Sequence, residues 1–598
     1  MKWIISVCLI AITTMAIAAT SDKETIVAVY DLEGMISESG QVSGGLFDLS
    51  GSSDRPLTHY DVVRSMKAAA ADDNVKGVVL DLGGANINLA QLQEMRRCLL
   101  AIREAGKDVW FYTERLSNGS VIIGSAANHF TLLPEGDVML TGMYAESMYF
   151  KGLLDKLGIK VEVIHIGDFK SAGETLYRTE PSKYATKQQA VLFDSIFEQM
   201  IRQICEGRKI KPEVLRQLID KALITPEEAK KAKLVDSLQY RTDFITTIRK
   251  HYGKNTKFDR GYELPDLGGP KISGFMDIMR LAFKSRKAKK RRVDYIGIVA
   301  LDGEINDASV APVREEILKL AKDEKCKALV FRVNSPGGSA LSSDVLWEAT
   351  DEFKATSKPM VVSMGAVAAS GGYYVSAGAN RIFAEQGTIT GSIGVVGMKF
   401  VLGGAMNKLG ITTHSIKRGK HADIMNSHRG YTPAETELIR KSMIDVYGTF
   451  KKRILDGRGD RIKGDLEKLA GGRVYSGKDA LVVGLVDELG GINEAVTHAA
   501  KLAKLEQYET ILTPEPKSGL EGMLAGPNKK DDAEDEFIRA TTAKHPANLI
   551  RQHMLATPGL QLLQPTQLHQ LEKLIKYLES TQKNSILLIS PNFHILGL

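Results

Sequence analysis

One serine in this sequence sits where chemistry could be done. Ser370 lies in Ala366-Val367-Ala368-Ala369-Ser370-Gly371-Gly372-Tyr373-Tyr374, directly after the apolar run PMVVSMG. The pattern predicts a strand, a turn and then a helix, with Ser370 near the helix start. Its hydroxyl would face the positive end of a helix dipole there, as would the N–H of Gly371. Two readings stay open: a nucleophile, or an ordinary N-cap whose oxygen accepts a backbone N–H. Two more glycine-rich turns follow strand-like runs, Asn334-Ser335-Pro336-Gly337-Gly338-Ser339 after ALVFRV and Thr390-Gly391-Ser392-Ile393-Gly394 after RIFAE. In parallel α/β folds the loops beyond the carboxyl ends of strands build sites, and glycine lets backbone amides approach a ligand.

A serine nucleophile needs a base. His414, His421 and His428 cluster in a polar stretch without an evident orienting carboxylate, and they read as loop or surface histidines. The other choice is a desolvated lysine. Lys170, in VEVIHIGDFKSAGE, follows an apolar run and is flanked by Gly167, Phe169, Ser171 and Ala172. A free lysine is neutral in only about one molecule in 2,500 at pH 7, so such a base must be buried and kept from carboxylates. Asp168 is the obvious threat, and it should be turned out or solvated. Taken alone, Lys170 reads as a surface lysine.

These segments belong to a chain that repeats itself. IVAVYDLEGMI (26–36) resembles IGIVALDGEI (296–305), and KGVVLDL (76–82) resembles KALVFRV (327–333). Asn128 and Asn380, the Lys-Leu-Gly-Ile runs at 156 and 408, and Gly167 and Gly419 share one offset of 252 residues. Two copies of one module are expected, over 24–265 and 293–510. Within each, short apolar strands alternate with helical patterns, which predicts α/β architecture with largely parallel strands. At that offset Lys170 faces Ala422, and Ser370 faces Asn118, or Gly119 if a gap moves by one. The first copy keeps the lysine and the second the serine, as a single site split between them would leave behind.

With 598 residues the chain is too long for one ordinary core, and 43% apolar and 25% charged residues exclude a mainly disordered or polytopic membrane protein. A net charge of +7 without a basic, aromatic-studded stripe does not support nucleic acid as a partner. The four cysteines lie far apart, so neither a metal site nor a disulfide framework is expected. Residues 1–20 carry one lysine, an apolar run and a small-residue ending at Ala16-Ile17-Ala18, which predicts export by a signal peptide or an uncleaved membrane anchor. Residues 266–292 form a basic linker ending in KSRKAKKRR; it is either solvated or drawn to anionic headgroups. The extension 511–598 holds a charged stretch, the helical pattern LEKLIKYLES and the run ILLIS (586–590), expected as an edge strand or a subunit contact.

Together, AASGGYY, NSPGG, TGSIG and GDFKSA resemble the signal peptide peptidase A (protease IV) family in its long two-repeat form, over about 24–510. The resemblance implies a Ser/Lys-dyad serine peptidase with Ser370 as nucleophile and Lys170 as general base, and it implies no metal or cofactor. It further implies two tandem ClpP/crotonase-like ββα-superhelix domains, in a homo-oligomer such as a tetramer whose sites line a bowl at the membrane surface. Hydrolysis of signal-peptide remnants and other hydrophobic peptides, on the periplasmic side of a bacterial inner membrane, is the implied function. Beside it, Gly338 and Gly371 N–H are the candidate oxyanion donors. Ser392 is the candidate to hold the lysine amine, its other reading being a plain turn serine. Val367–Ala369 and Met398–Leu402 could line an aliphatic pocket or belong to the core. A crotonase-like acyl-CoA enzyme is disfavoured by the leader; a non-catalytic membrane-protein scaffold of the same fold is the remaining alternative.

Overall fold

A computed structural model of the chain describes residues 25–40, 56–265, 293–514 and 586–589. The expected leader, the basic linker and most of the C-terminal extension lie outside the described residues. Among the described residues no helix is long and apolar enough to cross a membrane.

The first copy supplies strands β1 (Ile26–Met35), β2 (Val75–Asn86), β3 (Asp108–Leu116), β4 (His129–Val138), β5 (Lys160–Ile166), β6 (Ser237–Leu238) and β7 (Lys257–Asp259). The second supplies β8 (Tyr295–Asp302), β9 (Cys326–Ser335), β10 (Gly337–Ser339), β11 (Met360–Ala369), β12 (Arg381–Ala384), β13 (Ile389–Gly391), β14 (Val395–Val401), β15 (Val474–Ser476), β16 (Glu488–Leu489) and β17 (Glu509–Thr513). A last strand, β18, spans Ile586–Ile589.

The duplication is visible as topology. The first sheet runs β6-β4-β3-β2-β1-β7, and the second contains the path β16-β12-β11-β9-β8-β17, the same order built from equivalent strands. All of these pairings are parallel. Helices cover the faces, so a central strand such as β8 is buried along nearly its whole length and reads as a continuous apolar run. Matching details recur. Asn128 and Asn380 each accept a hydrogen bond from the first residues of the neighbouring strand, and each helix of 26 residues ends in an arginine paired with an aspartate, Arg208–Asp236 and Arg458–Asp487. The long helices open on side-chain caps, among them Thr432, whose hydroxyl and partner Glu435 satisfy two otherwise orphaned amides.

The two copies share a core. Helices His59–Ala71 and Leu89–Glu104 of the first pack in one apolar cluster with β8, β9, β11 and the helix Ile492–Leu502 of the second. Inside that interface Arg332 is fully buried. Its guanidinium donates to Glu38 of the first copy at 3.0 Å and to Ser363 at 2.8 Å, and it forms an ion pair with Glu94 of the first copy at 2.6 Å. A buried cation held by two carboxylates fixes the relative placement of the copies.

A smaller, antiparallel sheet crosses between them in the order β10-β18-β14-β5. β5 of the first copy pairs with β14 of the second along seven residues, from Ile166 opposite Val395 to Lys160 opposite Val401. The expected strand at ILLIS is present as β18. It is not at an edge, however: it lies in the interior of this sheet, paired with β10 on one side and β14 on the other.

Candidate active site

The β5–β14 pairing carries Lys170 to the second copy. β5 ends at Ile166, and the chain turns at Gly167 (φ 107°), where any side chain would collide with the backbone of Gly471. Phe169 N–H then donates to the Gly471 carbonyl at 2.9 Å, and Gly472 lies directly under the Lys170 backbone. Only glycines permit so close an approach of two main chains.

Ser370 comes from the opposite side, at the turn between β11 and the helix Gly371–Ser376. Its φ of 55° and ψ of −113° are rare for a residue with a side chain, and its hydroxyl makes no cap bond to the helix it precedes. The N-cap reading therefore fails, and the strained backbone instead aims the hydroxyl at the lysine. The strain is held in place by Ser370 N–H donating to Gly391 O and by Tyr374 N–H donating to Ser370 O, both at 2.8 Å.

The first copy shows the contrast. Counted by elements, the residue matching Ser370 is Ser117, between β3 and the helix Asn118–Gly124, rather than Asn118 or Gly119. Strand β11 has a register shift between Met364 and Ala368, which breaks the constant offset. Ser117 is exposed, has extended backbone (φ −104°, ψ 173°) and caps its helix by accepting from Ser120 N–H. The same place thus holds a plain cap in one copy and, in the other, a buried hydroxyl that caps no helix. Ala422, the counterpart of Lys170, is exposed.

Lys170 Nζ lies 2.7 Å from Ser370 Oγ, 2.8 Å from Ser392 O and 3.0 Å from Ser392 Oγ. Lys170 is 2% exposed, and both serines are fully buried. Burial holds the amine well below the ordinary lysine value, with no carboxylate opposing it. Asp168 is exposed, two residues away. Ser392 also has a positive φ, 52°, following Gly391 at 80°, and this turns both of its oxygens toward the amine. Three oxygens suit an uncharged amine: its two N–H groups go to Ser392 O and Oγ, and its lone pair remains for the Ser370 O–H.

Gly338 lies in β10, and Gly371 opens the helix after Ser370, where its N–H has no intrahelical acceptor. A methyl on Gly337 (φ 96°) would come within 2.7 Å of Gly371 N. The two glycine turns therefore face one small space beside the hydroxyl. The three histidines do not enter it: His421 lies beside Glu435, His428 beside Met406, and His414 is exposed.

The family model for peptidase family S49 matches twice, over residues 101–255 and 352–506. The chain belongs to peptidase family S49. The first match of this S49 peptidase contains Lys170 and the second contains Ser370 and Ser392; a Clp protease model matches residues 286–390. It is similar to the chloroplastic serine protease SPPA of Arabidopsis thaliana, with 30% identity over 77% of this chain and 68% of that one. It is also similar to Protease 4 of Salmonella typhi, 31% identical over 78% of this chain and 76% of the relative, and to Protease 4 of Haemophilus influenzae, 30% identical over 76% and 75%. The S49 chain is accordingly a serine peptidase, a hydrolase.

Two features had no readable signal. Gly471-Gly472, which let the copies touch, lie far from any motif, and the position of Leu587 and Leu588 against the site depends on a pairing no local pattern announces. Both leucines are fully buried. Met398 and Phe400, read as either pocket or core, pack with Leu587 in one apolar cluster.

Proposed function

We propose that this S49 peptidase cleaves peptide bonds with a Ser/Lys dyad divided between its two repeats. The observation that carries the reading is the triple contact of the buried Lys170 amine with Ser370 Oγ, Ser392 O and Ser392 Oγ. Lys170 takes the Ser370 proton as the hydroxyl attacks the substrate carbonyl. The oxyanion is met by Gly338 and Gly371 N–H. Lys170 then gives its proton to the leaving amine, and the same lysine activates the water that releases the acyl group. Ser392 keeps the amine oriented through both steps.

The two facing edges of β10 and β14 would receive an extended peptide as an added strand. The apolar surroundings of that slot favour hydrophobic peptides, cleaved signal peptides among them. Both repeats are read as ClpP/crotonase-like superhelices, which the Clp protease match supports for the second. Export to the periplasmic side of a membrane, held there by the leader and the basic linker, and assembly into a homo-oligomer complete the proposal.

The test is covalent labelling with a fluorophosphonate. Label on Ser370, lost in Ser370→Ala and sharply reduced in Lys170→Ala, is the expected result. Peptide cleavage that continues unchanged in both variants would reject the mechanism, and the absence of any acyl-enzyme would favour a scaffold instead.

A further inference from the structure

The slot between β10 and β14 is already filled by the chain itself. Strand β18 pairs antiparallel with both walls: Gly337, Gly338 and Ser339 face Ile589, Leu588 and Leu587, while Val396 and Gly397 face Leu587 and Ile586. Both walls are parts of the site. β10 belongs to the turn that carries Gly338, and β14 begins three residues after Ser392 and is held by β5, the strand that delivers Lys170.

The direction of β18 is that of a substrate. A peptide cleaved by Ser370 must lay its acyl side along the walls with its chain running, amino to carboxyl, toward the hydroxyl. β18 starts opposite Gly397, the third residue of β14, and advances through Val396 toward the Ser392 end, reaching Gly337 on the other wall. There the Leu588 carbonyl oxygen and Gly371 N converge on one point: a methyl placed on Gly337 would clash with the first and lie 2.7 Å from the second. Successive side chains of a strand point to opposite faces. Leu587 accordingly joins the cluster of Val161, Ala172, Leu176, Val396, Met398 and Phe400, and Leu588 joins the main core of the second copy. Both leucines are fully buried, so neither is loosely laid on the surface.

We infer that Ile586–Ile589 is a resident pseudo-substrate, bound on the acyl side of the peptide slot with Leu588 at the reaction centre, and that peptide substrates must displace it. This rests on the dyad reading for what the slot does. It adds that the slot takes leucine-type side chains at the last two acyl positions, and that access is governed by this chain's own segment. Being tethered, the segment competes at an effective concentration that a free peptide reaches only when abundant.

The test compares the full chain with a Leu587→Asp/Leu588→Asp variant, because charge at two fully buried positions should expel the strand. The fluorophosphonate labelling rate at Ser370 should rise severalfold, and KM for a leucine-containing reporter peptide should fall. A synthetic peptide Lys583–Ser590 should slow labelling of the variant far more than that of the parent. Leu587→Ala/Leu588→Ala, a milder change, should move the same quantities in the same direction. Hydrogen exchange supplies a readout independent of catalysis: the amides of Gly338, Val396 and Gly397, at the positions that face β18, should together lose protection in both variants. Equal labelling rates, unchanged exchange and no effect of the synthetic peptide would overturn the inference. Faster exchange without any Ser370 labelling in either protein would instead support the segment's placement and reject the dyad.

Discussion

Replacing Lys170 by methionine separates the chemistry of the dyad from its energetics. If the amine is uncharged in the fold, folding at pH 7 must remove a proton from a group whose ordinary value is 10.5. At about 1.36 kcal/mol per pH unit, that opposes folding by about 5 kcal/mol. Methionine fills a similar volume and escapes this penalty, but it abandons the Ser392 hydroxyl, about 1 kcal/mol, and strands a buried carbonyl, about 1–3 kcal/mol. The variant should therefore be more stable than the parent at pH 7 by about 1–3 kcal/mol, although its kcat/KM falls by about 10²–10⁴. The sign follows from proton binding. Between the depressed folded value and 10.5 the unfolded chain holds the extra proton, so the parent gains stability as pH rises, by about 1.4 kcal/mol per unit, while the variant does not. Urea midpoints of both proteins at pH 7, 8 and 9 measure this, and by pH 9 the difference should have vanished or reversed. A difference that stays flat across those pH values would mean the amine is charged in the fold, and the general-base role would be lost with it.

Two other substitutions probe the parts around the dyad. Ser392→Ala keeps the carbonyl acceptor but removes the hydroxyl, so kcat should fall about fivefold, the equivalent of about 1 kcal/mol, with KM unchanged. A KM change with kcat preserved would place Ser392 in binding rather than in orienting the lysine. Arg332→Leu leaves Glu38 and Glu94 buried without their shared cation, and it should destabilise the protein by about 3–5 kcal/mol. Chemical denaturation reads that loss directly, and a change within 1 kcal/mol would show that the copies are not held together by this cluster.

Much of the site was legible because its parts lie in short segments whose chemistry is local. A strand running into a glycine-rich turn announces itself in PMVVSMGAVAASGG and in RIFAEQGTITGSIG, and the duplication could be counted from Lys-Leu-Gly-Ile and the paired asparagines. What could not be read depends on pairing between distant segments. The constant offset misplaced the counterpart of Ser370 by one or two residues, because a register shift in β11 has no sequence mark. ILLIS reads as a strand from its β-branched and aliphatic content, yet nothing in five residues tells an edge from an interior position. The Arg332 cluster was equally hidden: Glu38, Glu94 and Arg332 are ordinary charged residues until the fold buries them together.

The proposed division of the dyad between the copies would make the closed interface a condition of catalysis. A lysine on the surface of the first copy alone would be solvated and charged, and the serine of the second alone would have no base. Only when β5 pairs with β14 and Gly167 meets Gly471 is the amine removed from water and brought within 2.7 Å of Ser370 Oγ. The desolvation that would make Lys170 a base in the proposed mechanism is therefore supplied by the same contacts that hold the copies together. The comparison of Ser117 with Ser370 shows how little the turn itself had to change. An exposed cap becomes a candidate nucleophile once its backbone turns to positive φ and a second copy covers it with a buried amine. Loosening that interface should abolish activity before it unfolds either sheet, since charging one amine requires only that water reach it.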